Sequence, residues 1–214
     1  HGIHQKRFSP LKFDVCVLTN IAHDHFDYHK SMNHYISSKL DLFKLHLKSN
    51  GRALINGDTE YLKKIKGELR KSNIVHNILS SNSRRYGIRK IDIQENLINV
   101  DVYINSKLYN FIFKDLPLFQ IKNFLLAVIS LSLIGFSVNK MIKFSLECPH
   151  VPGRMELAGK KANGARVYID FAHTPDALKN VLSEATLICK GRLVVVFGCG
   201  GNRDKKKRPI MGKI

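Results

Sequence analysis

Negative charge is scarce in this 214-residue chain: 17 Asp and Glu stand against 35 Lys and Arg, a formal net charge of +18. A basic chain invites nucleic acid as a partner. Here, however, lysine is spread through Ile-, Asn- and Lys-rich segments rather than gathered in a stripe. The charge therefore reads as a compositional bias, and an anionic small substrate explains a local basic site equally well. Long apolar runs are missing too. The longest, Phe124 to Phe136, is interrupted by Ser130 and Ser132 and falls short of the about 20 residues that span a bilayer. No signal peptide opens the chain, so no membrane partner is expected. Cys16, Cys148, Cys189 and Cys199 form no C-x-x-C pair, which favours reduced thiols in a cytoplasm. Neither G-x-x-x-x-G-K-S/T nor G-x-G-x-x-G spacing occurs, and there is no internal repeat. What remains is 44% apolar and 24% charged, enough for one large domain or two small ones with a proper core.

The order of elements predicts an α/β fold. Asp14 to Thr19 reads as a buried strand, followed by the polar loop Asn20 to His29. Ser31 is placed to cap a helix reaching about Lys48, with Tyr35, Leu42, Phe43 and Leu47 on one face. Arg52 to Asn56 is the next strand, and Gly57-Asp58-Thr59 opens a helix to about Arg70. This order argues for a parallel, helix-covered sheet. From about Asn82 the texture changes to short strands at Tyr86–Ile88, Ile91–Ile93, Ile98–Ile104 and Leu108–Phe113, with Asn105-Ser106 as a hairpin turn. Helices follow over Gln120–Ile134 and Val138–Leu146. Pro149 to Gly153 is the linker candidate. After it, α/β order resumes with strand Ala165–Asp170, helix Pro175–Cys189, strand Leu193–Phe197, a glycine loop and a helix from about Pro209.

Three blocks carry chemistry. His23-Asp24-His25-Phe26-Asp27-Tyr28-His29 follows the C-terminal end of a buried strand, the edge where open parallel sheets bind ligands. Its crowding suits a divalent cation, and equally a polar loop. Asp170 and His173 close another strand. Thr174, Pro175 and Asp176 are explained by helix capping, whereas an acid ending an apolar strand is not. Gly198-x-Gly200-Gly201 lets backbone amides approach an anion at a helix start, and the basic run Arg203 to Arg208 follows it. Lys39 lies inside the first helix; a snorkelling lysine is the plain reading, and a reactive one needs a neutral amine.

Taken together, these residues resemble the Mur ligase family. Thr19-Asn20 with Asp24-His25-x-Asp27-Tyr28-His29 is similar to its central-domain signature. His34-Tyr35-x-x-x-Lys39 is similar to its carbamylated-lysine helix. Gly153-Arg154-Met155-Glu156, Asp170 to Ala177 and Gly198 to Gly212 are similar to the start of its C-terminal domain. The resemblance implies a central ATP-binding domain over residues 1–148, a parallel-sheet domain with a small β subregion, and the start of a Rossmann-like C-terminal domain over 149–214. It implies ATP and Mg2+, with a UDP-MurNAc dipeptide and a diamino acid as substrates joined through an acyl phosphate. It also implies a cytoplasmic monomer that binds neither nucleic acid nor membrane. By the same resemblance, His25 and carbamylated Lys39 hold magnesium, and Lys39 is catalytic. Gln5 and Arg7 contact the UDP-muramoyl dipeptide, and Arg203 contacts the incoming amino acid. Asn123, Arg154, Asp170 and His173 contact ATP. Gln120 stands where the family usually has asparagine, and Phe171 where it has tyrosine. The family's P-loop is expected upstream of His1 and more of its C-terminal domain beyond Ile214, so the chain is read as an internal segment, inactive alone. Two rivals predict other behaviour: a metal-dependent hydrolase using His23, His25, Asp27 and His29, and a basic nucleic-acid-binding module.

Overall fold

The computed structural model describes residues 2–22, 28–81, 83–94, 96–200 and 207–214. It divides into two compact units, residues 1–21 with 29–148 and residues 22–28 with 149–214.

The first unit opens on strand β1 (Phe13–Leu18), helix α1 (Met32–His46), β2 (Leu47–Asn56), α2 (Leu62–Lys71) and β3 (His76–Leu79). β1 pairs with β2 and β2 with β3, both in parallel. Cys16, Leu18, Ala53 and Ile55 turn to one face, where Ile36, Leu40 and Phe43 of α1 and Ile65 and Leu69 of α2 bury them. Leu54, Leu79 and the half-buried Val17 turn to the other face. A sheet covered on both faces needs apolar side chains on both, which is why β1 and β2 read as continuous apolar runs. Local signals set the helix ends. The Ser31 hydroxyl accepts the His34 amide at 3.2 Å as N-cap of α1, and Lys44 and His46 in its last turn suit the negative end of the dipole. α2 begins later than the sequence suggests: Thr59 Oγ1 accepts the Tyr61 amide at 3.4 Å, and the helix proper starts at Leu62.

A second layer follows, β4 (Tyr86–Gln94), β5 (Leu97–Ile104) and β6 (Lys107–Lys114), an antiparallel meander. Asn105 and Ser106 both have positive φ, 50° and 66°, as a tight hairpin turn requires. The two short strands expected at 86–93 are one strand, with a register irregularity between Ile88 and Lys90. Ile98, Val100, Val102, Ile104, Phe111 and Phe113 face inward against α3 (Leu118–Leu133) and α4 (Val138–Ile142). Gly135, at φ 97°, ends α3. The expected long second helix stops at Ile142, and residues Lys143–Ser145 form a 3-10 turn. The Ser145 hydroxyl there accepts the Ile112 amide at 3.2 Å, which closes the outer edge of β6.

The second unit holds β7 (Glu156–Lys160), β8 (Arg166–Ile169), α5 (Pro175–Ile188) and α6 (Lys207–Gly212). β7 and β8 are antiparallel and joined by a short turn in which Gly164 takes φ 83°; a link this short allows no parallel crossover. Thr174 caps α5, its hydroxyl accepting the Ala177 amide at 3.3 Å. Few apolar side chains are fully covered: Met155, Leu178 and Met211. One expectation is corrected here. Leu193–Phe197 forms no strand, and Val196 is 96% exposed. An apolar run becomes a strand only when a neighbour supplies the ladder, and the ladder among the described residues of this unit is the β7–β8 pair. The α/β class holds for the chain as a whole.

Candidate functional site

The C-terminal ends of β1 and β2 are where the first unit gathers its polar side chains. Asn56, the last residue of β2, donates through Nδ2 to the Thr19 carbonyl at 3.0 Å, tying the two strand ends together. Its Oδ1 accepts the Asp58 amide at 3.2 Å. Lys39 reaches the same edge from α1: its Nζ donates to the Asn20 carbonyl at 2.9 Å and lies 4.8 Å from the centre of the Tyr35 ring. Lys39 is half-buried between the buried Ser38 and Leu40. Beside this edge, Asp58 accepts from Lys122 of α3 at 2.7 Å. Asn56, Asp58, Ser80, Ser81 and Lys122, with Leu79, Ile88 and Ile91, line a cavity of about 370 Å³. A parallel sheet collects ligands at this edge because its strands end there and its loops open there.

Of the other residues singled out in this unit, Asn123 is exposed on α3, and its Nδ2 lies 3.4 Å from Gln120 Oε1. Gln5 and Arg7 are exposed in the turn-rich segment before β1, where the Arg7 amide donates to the Gly2 carbonyl at 3.0 Å. His29 is buried, and its ring packs against His34 at 5.0 Å and Tyr35 at 5.1 Å. His23, His25, Asp27 and Arg203 lie outside the described residues. Among the described residues no group of three or more His, Cys, Asp or Glu is arranged to hold a metal ion.

The second unit brings Arg154, Asp170 and His173 together. Asp170 follows β8, and both its oxygens accept backbone amides: Oδ2 from Met155 at 2.8 Å and Oδ1 from Ala172 at 2.7 Å. This is the physical reason an acid ends the apolar strand. Arg154 is exposed, and its guanidinium sits 5.4 Å from the centre of the Phe171 ring, an arrangement that favours a cation. His173 Nδ1 lies 3.0 Å from the Phe171 carbonyl; a carbonyl only accepts, so Nδ1 carries the proton and Nε2 keeps its lone pair in the neutral ring. Lys207 Nζ donates to the His173 carbonyl at 2.7 Å, holding the start of α6 to the turn that caps α5. The α5 N-terminus adds positive potential. The arrangement suits an anion such as a phosphate.

Sequence reasoning passed over Asn56, Asp58, Lys122 and Lys207 as site residues. The signal for the first two was available: Asn-Gly-Asp directly follows the apolar run Ala53 to Ile55, as Asn20 follows β1. Lys207 was concealed inside a basic run.

The family model for the Mur ligase middle domain matches residues 1–131, and that for the Mur ligase glutamate ligase domain matches residues 153–214. The UDP-N-acetylmuramoyl-L-alanyl-D-glutamate–2,6-diaminopimelate ligase of Rickettsia rickettsii is 37% identical over 216 residues, covering 100% of this chain and 44% of the relative. The protein of the same name from Rhizobium meliloti (strain 1021) is 34% identical over 217 residues, with the same coverage. A solved structure of a ligase of that name superposes with a TM-score of 0.71 at 27% identity, covering all of this chain and 44% of that one. An FPGS–AMPPCP–folate complex shares the fold with a TM-score of 0.76 at 13% identity, over 96% of this chain and 49% of that one. The chain thus spans less than half the length of the relatives it matches.

Proposed function

The chain belongs to the Mur ligase family, and on that premise we propose that it is the part of a UDP-N-acetylmuramoyl-L-alanyl-D-glutamate–2,6-diaminopimelate ligase that carries the carbamylated lysine and one side of the nucleotide site. Residues 1–148 belong to the central domain and 149–214 to the C-terminal domain. The reaction is amide formation driven by ATP in peptidoglycan synthesis. A carboxylate oxygen of the terminal D-Glu attacks the γ-phosphorus of ATP and releases ADP; the neutral amine of diaminopimelate attacks the acyl phosphate carbon, gives up a proton, and phosphate leaves as the tetrahedral adduct collapses to the amide. A negatively charged carboxylate and phosphates approach one another, so positioning and charge neutralisation carry the rate. The enzyme works in the cytoplasm; among the described residues no helix is long and apolar enough to cross a membrane.

The observation that carries this reading is the match along the whole of this chain to ligases of that name at up to 37% identity in the two relatives compared. The surroundings of Lys39 support it. A lysine amine that adds to carbon dioxide loses one proton and keeps one N–H. The carbamate formed on Lys39 therefore retains a donor for the Asn20 carbonyl and adds two anionic oxygens. Carbamate and carbonyl oxygens at one strand end are hard donors of the kind Mg2+ prefers, so the residues present fit that ion; His25 is the further ligand. Bound there, Mg2+ would neutralise phosphate charge. In the second unit Arg154 and Lys207 offer cations to a phosphate, with Asp170 and His173 beside them; in the first unit Asn123 is the ATP contact. Gln5 and Arg7 serve the UDP-muramoyl dipeptide, and Arg203 the diaminopimelate carboxylate.

Two measurements test it. The 214-residue chain alone is expected to show no ATP hydrolysis or ligation, because its sequence lacks a phosphate-cradling G-x-x-x-x-G-K-S/T loop. A chimera in which this chain replaces the matching 44% of the Rickettsia rickettsii ligase is expected to form diaminopimelate-containing product, and to lose it on Lys39→Ala. A folded chimera that makes no product, or turnover by the lone chain, would overturn the proposal.

A further inference from the structure

The turn that presents Arg154 is held in an unfavourable backbone conformation. Gly153 has φ 67° and Met155 has φ 46°, so Arg154 lies between two left-handed residues. For Gly153 this costs little. For Met155, which has a Cβ and no polar side chain to bond its own backbone, it is a strained position. Such strain persists only where the surroundings over-determine it.

The surroundings here are two carboxylates and two backbone bonds. Glu156 Oε2 accepts the Gly153 amide at 2.7 Å. Asp170 Oδ2 accepts the Met155 amide at 2.8 Å. The Gly153 carbonyl accepts from the Phe171 amide at 2.8 Å, and the Arg154 amide donates to the Val151 carbonyl at 3.1 Å. The Met155 side chain is 5% exposed, so it anchors the turn from below while Arg154 points out.

The consequence is electrostatic. Glu156 is two residues from Arg154, and Asp170 braces the same turn; either would be an ordinary ion-pair partner. Both are instead engaged by main-chain amides on either side of the arginine. Among the described residues the Arg154 guanidinium makes no ion pair, and its neighbour is the face of Phe171 at 5.4 Å. We infer that Glu156 is a positioning residue. By holding the Gly153 amide it fixes the strained turn, aims the Arg154 guanidinium along Phe171, and leaves that positive charge available to an incoming phosphate-bearing ligand. The ligand class rests on the nucleotide reading above; the positioning of Arg154 does not.

The experiment has two arms on the full 214-residue chain. The first is the Arg154 Nε–H resonance, which the Phe171 ring at 5.4 Å is expected to shift in wild type. It is expected to move to an ordinary exposed-arginine position in Glu156→Ala and to stay shifted in Glu156→Gln, whose amide oxygen still accepts the Gly153 amide. The second arm is ADP binding, followed by titration. Arg154→Ala and Glu156→Ala are each expected to weaken it about tenfold, the scale of one lost charge-assisted hydrogen bond, with Glu156→Gln within about twofold of wild type. If Glu156→Ala unfolds α5, Glu156→Asp, which withdraws the carboxylate by one methylene, takes its place. An unshifted wild-type resonance, or one that Glu156→Ala leaves in place, overturns the inference. If ADP does not bind, or binds equally well to Arg154→Ala, the nucleotide reading fails while the resonance arm still decides the positioning of Arg154.

Discussion

Replacing Asp170 by alanine removes the acceptor of two backbone amides at once, those of Met155 at 2.8 Å and Ala172 at 2.7 Å. Hydrogen bonds to a charged acceptor contribute about 1.5–3 kcal/mol each. Asp170 is half-buried, so water replaces part of what is lost and each bond falls below that range, at about 1 kcal/mol; the pair together is worth about 2 kcal/mol. That loss falls on a unit with few covered apolar side chains, Met155, Leu178 and Met211, and Met155 is in the turn that would be released. Low local stability makes opening of this unit visible without global unfolding. Amide hydrogen exchange in α5 and the β7–β8 pair is therefore expected to accelerate about 30-fold in Asp170→Ala, since 1.4 kcal/mol is a factor of ten. Asp170→Asn keeps one acceptor oxygen but turns an amide donor toward the second N–H, and it is expected to fall between the two. If α5 protection is the same in wild type and Asp170→Ala, the bracing role is wrong, and the acid at the end of β8 has to be explained by ligand contact alone.

Two further predictions concern the first unit. A Cβ at Gly87 would lie 2.0 Å from the Ser83 carbonyl oxygen and 2.5 Å from that of Ser80. Both are main-chain atoms that cannot swing aside, so Gly87→Ala is expected to cost at least about 2–3 kcal/mol and to lower the calorimetric midpoint by several degrees; an unchanged midpoint would refute the close approach. Burial pushes the Cys16 thiol up to about 11. Below about pH 9 folded and unfolded chains both keep its proton; between about 9 and 11 the unfolded chain releases it first. Stability is therefore complete at neutral pH and falls by about 1.4 kcal/mol per pH unit across that window. Urea midpoints of wild type are expected to drop more steeply there than those of Cys16→Ala, and parallel slopes would sink the argument.

What could be read from the sequence was what neighbouring residues decide among themselves. Ser31 capping His34, Thr174 capping Ala177 and the Asn105-Ser106 turn all close within three residues, and each forms where its residue types suggest. β1 and β2 announce themselves because a sheet buried on both faces must be apolar throughout. β3 and β7 did not. His76–Leu79 is four residues long and exists through its pairing with β2. Glu-Leu-Ala-Gly-Lys carries no alternation and is set by the turn to β8 and by the Glu156 and Asp170 bonds. The converse failure is Leu193–Phe197, where composition alone suggested a strand that lacks a ladder. At the candidate site the same division holds. Asp170 stood out because an acid there broke the local pattern. Its partners, and the contact between Lys39 and Asn20 across 19 residues of sequence, depend on tertiary placement that no local pattern encodes.

Charge pairing separates Arg154 and Lys207 from several of the chain's other cations. Lys48 pairs with Asp14 at 2.8 Å, Lys71 with Glu68 at 2.8 Å and Lys122 with Asp58 at 2.7 Å. These are partly exposed pairs that contribute little to stability, but they do cancel field locally. In the second unit, Arg154 faces an aromatic ring and Lys207 a carbonyl oxygen; neither acceptor carries a formal charge. The two carboxylates near Arg154 are turned onto amides. With acids outnumbered 17 to 35, leaving a cation unpaired is unremarkable by itself. Holding Glu156 and Asp170 on main-chain amides beside it requires specific geometry, and the strained φ at Met155 is the structural sign of that geometry. Among the described residues, a phosphate at Arg154 would meet a guanidinium with no ion-paired carboxylate to displace first, which is the condition under which a modest charge binds an anion well.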